Sequence, residues 1–242
     1  MAYIRLAFLT LRNRILEEIR YPFQFIFNTI FFIGFAYFVS LGGQIIQGNT
    51  SSDSMNGTIS SFFLAFLAGG ALGQPIETLD KSKMEEFYLQ PLTSSGYIIA
   101  VAVGRAIETT VTLSVYTGII SLFRSTNLDA MIRIAIVGFP VFFGMLGVGF
   151  GIAGLRLVFQ KVGALPQLAS IVLLGIAISS TPNNLQAWIN WQPFAAGLYY
   201  LRTGNLNILT FFLSVVFSIL FGALIFYWGE RTMLRRGLIS QE

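Results

Sequence analysis

The chain contains neither cysteine nor histidine. These two absences exclude disulfides, thiolate and imidazole metal sites, haem held by His, and every catalytic scheme that depends on an imidazole or a thiol. Charge is also scarce: 11% of the 242 residues are Asp, Glu, Lys or Arg, against roughly 25% in an ordinary soluble domain. So few charges cannot cover a water-exposed surface, and the solvent must largely be lipid. The six methionines are scattered, which argues against a thioether copper pathway. No GxxxxGK(S/T) phosphate loop occurs, so the chain is not read as an enzyme, and any ATP must be hydrolysed by another subunit.

What is abundant is apolar: 55% of residues are hydrophobic and 15% aromatic. A helix crossing a hydrocarbon layer of ~30 Å needs about 20 mostly apolar residues, and six runs qualify: 23–41, 59–76, 97–122, 132–155, 164–180 and 208–228. The runs are continuously apolar and lack the alternation of a lipid-facing strand, so helices are expected and not a barrel. The sequence thus predicts an all-α membrane protein: one domain over 1–242 with six transmembrane helices. Four arginines precede the first run and no small-residue cleavage pattern follows it, so it is not read as a removable signal.

Orientation follows from Lys and Arg in the flanking segments. With the amino terminus inside, eleven basic residues lie on the inner side, and three, Arg124, Arg133 and Arg202, on the outer. The expectation is a multi-pass protein of the cytoplasmic (inner) membrane with both termini cytoplasmic. The same bias accounts for the net charge of +4, so no nucleic-acid partner is called for.

Residues 1–21 carry Ile4, Phe8, Leu11, Ile15 and Ile19 along one helical face. They predict an amphipathic interfacial helix that ends where the chain turns upward at Tyr21-Pro22. Its duty is open between a membrane anchor and a contact to a partner. The loop at 42–58 is rich in Gly, Ser, Asn and Thr and suits an external connection.

The inner segment 77–95 has the densest charge in the chain: Glu77, Asp80, Lys81, Lys83, Glu85 and Glu86, followed by Phe87, Tyr88, Leu89, Gln90 and Pro91. A short helix ending before Pro91 would carry Met84, Phe87 and Tyr88 on one side and the charges mainly on the other. Such a helix suits a groove on a cytosolic partner, and it equally suits lipid headgroups. The outer segment 181–206 is too long and apolar for a plain loop. It holds Trp188, Trp191, Phe194, Tyr199 and Tyr200, with breaks at Pro182 and Pro193. Aromatics at this density belong to the headgroup zone, and Pro193 is placed to start a short helix running to Arg202. One or two short re-entrant or interfacial helices are expected before the last span.

Gly149-Phe150-Gly151-Ile152-Ala153-Gly154 matches GxGxxG but lies inside an apolar run, so the dinucleotide reading fails on context. Gly144, Gly147 and Gly151 instead predict close helix packing, as do Gly69 and Gly73. Arg105 and Glu108 are the ionisable residues set away from the ends of a span, and their spacing lets them pair. Intramembrane charges carry a functional reading by default, against which stands a structural pair fixing the third span to a neighbour.

Taken together, the inner loop and the outer aromatic segment give the chain a family likeness. It resembles the permease subunits of type-two ATP-binding-cassette exporters. In that family the loop between the second and third spans alternates acidic and basic residues, continues Gly-Thr-Leu-Glu, then hydrophobics, then Pro-Leu, with an Arg fourteen residues after the Pro. Asp80-Lys81, Glu85, Phe87-Tyr88-Leu89 and Pro91-Leu92 match, and Arg105 has that spacing; Ser82-Lys83-Met84 stands in place of Gly-Thr-Leu. An Asn-Pro with Arg nine residues later is the second feature: Pro193 and Arg202 fit, with Gln192 replacing the Asn.

The resemblance implies two six-span permeases, this chain with a second copy or a homologue, on two cytosolic ATPase subunits that bind the ATP and Mg. Segment 77–95 would be the coupling helix entering a cleft on the ATPase, with the amino-terminal helix beside it. The second and fifth spans would line the route. The apolar spans suit an amphiphilic substrate such as a drug, lipid or peptide. Two other classes stay open: an ATP-independent secondary transporter or channel, disfavoured by the scarcity of intramembrane acids, and a membrane enzyme, disfavoured because Glu108 lacks a catalytic companion.

Overall fold

A computed structural model describes residues 2–47, 52–78, 94–124, 129–159, 164–179, 185 and 192–235. Among them there are no strands, and the helices in chain order are α1 (Ala2–Arg20), α2 (Pro22–Gln47), α3 (Ser52–Thr78), α4 (Ser94–Arg124), α5 (Asp129–Phe159), α6 (Leu165–Ser179), α7 (Pro193–Thr203) and α8 (Ile208–Arg235). Three stretches are long and apolar enough to cross a membrane: Thr58–Glu77, Ile132–Phe159 and Ile208–Met233. Their length and apolarity, together with the lipid-like surface below, mark a membrane-embedded all-α protein. The loop expected at 42–58 is mostly helical instead: 42–47 continue α2 and 52–58 open α3, with 48–51 outside the described residues. The charged run from Asp80 to Pro91, and Trp188 and Trp191, also lie outside them.

Proline sets several helix boundaries. Pro22 opens α2 directly after the break at Tyr21, where its missing N–H leaves no hydrogen bond unmade. Pro193 does the same for α7, which then closes on Gly204 at φ 73°, its N–H donating to the Tyr200 carbonyl at 2.8 Å. That left-handed position is one a side chain adopts at a cost, which is why glycine ends the helix there. Pro75 and Pro140 lie inside α3 and α5; such prolines are tolerated where neighbouring helices cover the freed backbone.

Helix α3 is the centre of the bundle. Ile59, Phe62, Phe63, Leu64, Leu67, Ala68, Ala71 and Leu72 are all buried, and α2, α4, α5, α6 and α7 pack around it. Contacts along the helices fix their directions. Gly138 adjoins Leu67 and Gly149 adjoins Leu72, so α3 and α5 run the same way. Ser170 sits against Gly69 while Ala177 reaches the level of Ser61, so α6 runs against α3.

Between α5 and α8 the backbones touch. A methyl group at Gly147 would meet the Ser218 carbonyl oxygen at 2.5 Å, and one at Gly154 the Ile225 carbonyl oxygen at 2.6 Å. From the other side, Gly222 and Gly229 face the backbones of Gly147 and Gly154. Gly149 points away from this contact, into the backbone of α3. The GxGxxG run is therefore a two-sided packing device, as the small-residue reading anticipates: in lipid, helices associate through close van der Waals contact.

The outside of the bundle is as apolar as its interior. On α2, Phe23 is 88% exposed, and Phe27, Phe31 and Phe35 stack along one exposed stripe. On α8, Ile208, Leu209, Phe212, Leu213, Phe217 and Leu220 are all more than half exposed. Faces of this extent have no place in water and are ordinary against acyl chains. Helix α1 packs on α4 and leaves Phe8, Ile15 and Ile19, three members of its expected apolar face, uncovered.

Candidate functional site

Two groups of polar contacts between helices, each built on arginine, stand at opposite ends of the bundle. At the first, α3 terminates and the charged segment leaves it. Arg105 of α4 donates from Nη1 to Oε2 of Glu77 at 3.0 Å, and Arg156 of α5 donates to the backbone carbonyl of Ile76 at 3.3 Å. Two guanidinium groups from two helices thus hold the last turn of a third. A cation there also complements the unsatisfied carbonyls and the negative end of the α3 dipole. The ion pair is open to solvent, with Arg105 32% and Glu77 65% exposed, so it contributes at most about 1 kcal/mol to stability. Its effect is to fix position.

The sequence pairs Arg105 with Glu108 on its own helix; the structure gives it Glu77, across the helix boundary, as a partner. Glu108 lies one turn further along α4 and is half-buried. Asp80, Lys81, Glu85, Glu86, Phe87, Tyr88 and Pro91 all fall outside the described residues. Glu77 is the member of the expected coupling set that can be placed. Sequence reasoning did not assign the tie from Arg156 to Ile76; the signal available was a basic residue in the last turn of α5.

At the opposite end, α7 lies across α3, α5 and α8. Pro193 packs against Gly144 of α5, and Phe194, Ala195, Ala196 and Leu198 are buried beneath it. Arg202, in the last turn of α7, donates from Nη2 to the Ala177 carbonyl at 2.6 Å and from Nε to Ser61 Oγ at 3.4 Å. Burial pushes its pKa down from the usual guanidinium value, but that value is high enough to keep the charge.

The described part of α6, 15 residues, is about 22 Å long, and the residues that directly follow Ser179 lie outside the described residues. Arg202 donates to a carbonyl in the last described turn of this helix. The structure therefore brings Pro193 and Arg202 together on one short helix, as their spacing suggests, and adds Ser61 and Ala177 as the groups Arg202 serves. Among the described residues no cluster of acids is arranged to hold a metal ion. No family model, curated protein or solved structure matches the chain.

Proposed function

We propose that this chain is the transmembrane subunit of an ATP-driven exporter, powered by a separate cytosolic ATPase and moving an amphiphilic substrate across the cytoplasmic membrane. In this reading α2, α3, α4, α5, α6 and α8 are the six spans and α1 is the interfacial helix. The segment after α3 faces the cytosol, and a second permease copy or homologue completes the pathway. The observation that carries the proposal is the collar at the end of α3. A segment dense in charge and followed in sequence by aromatics leaves a helix end that Arg105 and Arg156 tie to α4 and α5. A push on that loop is delivered to three helices at once, which is what coupling to a motor requires. Tight packing of α5 on α3 and α8 would carry the displacement along the bundle, since close-packed elements shift as units.

The test is purification of the tagged full-length chain from its own membrane. The proposal expects a co-purifying ATPase subunit bearing the GxxxxGK(S/T) sequence, and expects Glu85→Lys with Glu86→Lys to lose that subunit while the chain still folds. Unchanged association and transport in the double variant would remove the coupling assignment.

A further inference from the structure

At the end of the bundle that holds Arg202, the turn from α7 into α8 opens a cleft of about 670 Å³, within the ~300–1,000 Å³ typical of small-molecule sites. Its lining divides by chemistry. Tyr199, Asn205 and Asn207 supply hydrogen-bonding groups, and Ala196, Leu206 and Leu209 an apolar wall. The Asn207 side-chain Oδ1 accepts the Thr210 N–H at 3.3 Å, which orients the amide so that its NH2 is the end left to serve as donor. Among the described lining residues none is a carboxylate. A cation stands just outside: the Arg133 guanidinium lies 5.9 Å above the Tyr200 ring and within 3.1 Å of the Cβ position of Gly204, the residue before Asn205.

The apolar wall does not end at the cleft. Leu209 is 71% exposed and is followed on the same helix by Phe212, Leu213, Val216, Phe217 and Leu220, a face suited to acyl chains. Neutral donors, a neighbouring guanidinium, no acid, and a direct path onto a lipid-facing stripe describe a receptor for a phosphate head joined to hydrocarbon tails. We propose that the α7–α8 cleft binds a membrane glycerophospholipid, with its phosphodiester at Tyr199, Asn205 and Asn207 and its chains along Leu209, Phe212 and Leu213. The site stands whether or not the exporter reading holds, because it uses no residue of the Glu77 collar.

The test uses the full-length chain in phosphatidylcholine nanodiscs doped with a phosphatidylcholine carrying a photoactivatable acyl chain. Adducts should concentrate in 196–213 above the level on the exposed α2 face. Tyr199→Phe with Asn205→Leu removes two donors and should lower the 196–213 adducts about tenfold, leaving those on α2 unchanged. Asn205→Leu alone, at an exposed position, should give a smaller loss and serves if the double variant melts early. Three results would overturn the proposal: adducts equally dense on α2, diacylglycerol competing as well as phosphatidylcholine, or displacement by glycerophosphocholine, which would make this a site for soluble phosphate heads.

Discussion

Replacing Gly222 by alanine puts a methyl group into the backbone of Gly147, where α8 crosses α5. No rotamer relieves this, because the obstacle is main chain. The reciprocal clashes measure how far the helices must part. Methyl groups at Gly147 and Gly154 would lie 2.5–2.6 Å from carbonyl oxygens, so reaching ordinary contact needs a separation of about 0.8 Å or more. Overpacking of this kind costs about 1–3 kcal/mol, or roughly 3–10 °C in melting temperature for a chain of this size. Gly147→Ala should behave alike. Because one separation relieves both clashes, the double variant should lose less than the sum, with a coupling of about 1 kcal/mol or more. Gly34 and Gly175 are internal controls, since a methyl group at either meets nothing within 4 Å; alanine there should be neutral or slightly stabilising through helix propensity. Thermal unfolding in detergent, followed by tryptophan fluorescence, reads all five variants. Wild-type melting of Gly222→Ala, or an equal loss in Gly175→Ala, would refute the packing argument.

Arg202→Ala should lower stability by about 1.5–3 kcal/mol, the range for a charge-assisted hydrogen bond, and Arg202→Lys should recover only part of it because a single ammonium lacks the separated Nε and Nη2 donors that reach Ser61 and Ala177; thermal unfolding checks both. Arg105→Ala and Glu77→Gln should each change melting by less than about 1 kcal/mol yet impair ATP-dependent transport, and exchanging the two charges should restore part of it. An equal transport loss in the exchanged pair would show that position, and not pairing, matters. Arg156→Ala should uncouple ATP hydrolysis from transport in the same assay, since it frees the Ile76 carbonyl at the end of α3.

The helices were legible because a lipid solvent makes apolar runs nearly unambiguous: α2, α4 and α8 begin or end within a few residues of caps and prolines that can be read directly. The role of the glycines was legible too, but not their division of labour. That Gly149 serves α3 while Gly147 and Gly154 serve α8 depends on the rotation of α5, which a uniformly apolar sequence does not encode. The partners of the arginines were the hardest to read. Helical spacing offers Arg105 the nearby Glu108, while Glu77 is distant in sequence and adjacent only because α3 and α4 run antiparallel through the bundle. Arg202 was marked by its spacing from Pro193, but its acceptor is a backbone carbonyl, and backbone acceptors leave no trace in residue identity.

Under the exporter proposal, a separate ATPase drives the helices through the loop after α3. The most direct measurement uses inside-out vesicles carrying the chain with its co-purifying ATPase and follows a fluorescent phospholipid as the amphiphile. Movement should require ATP and be lost in Glu85→Lys with Glu86→Lys. Movement that persists in vesicles stripped of every ATPase subunit, driven by an ion gradient alone, would contradict it.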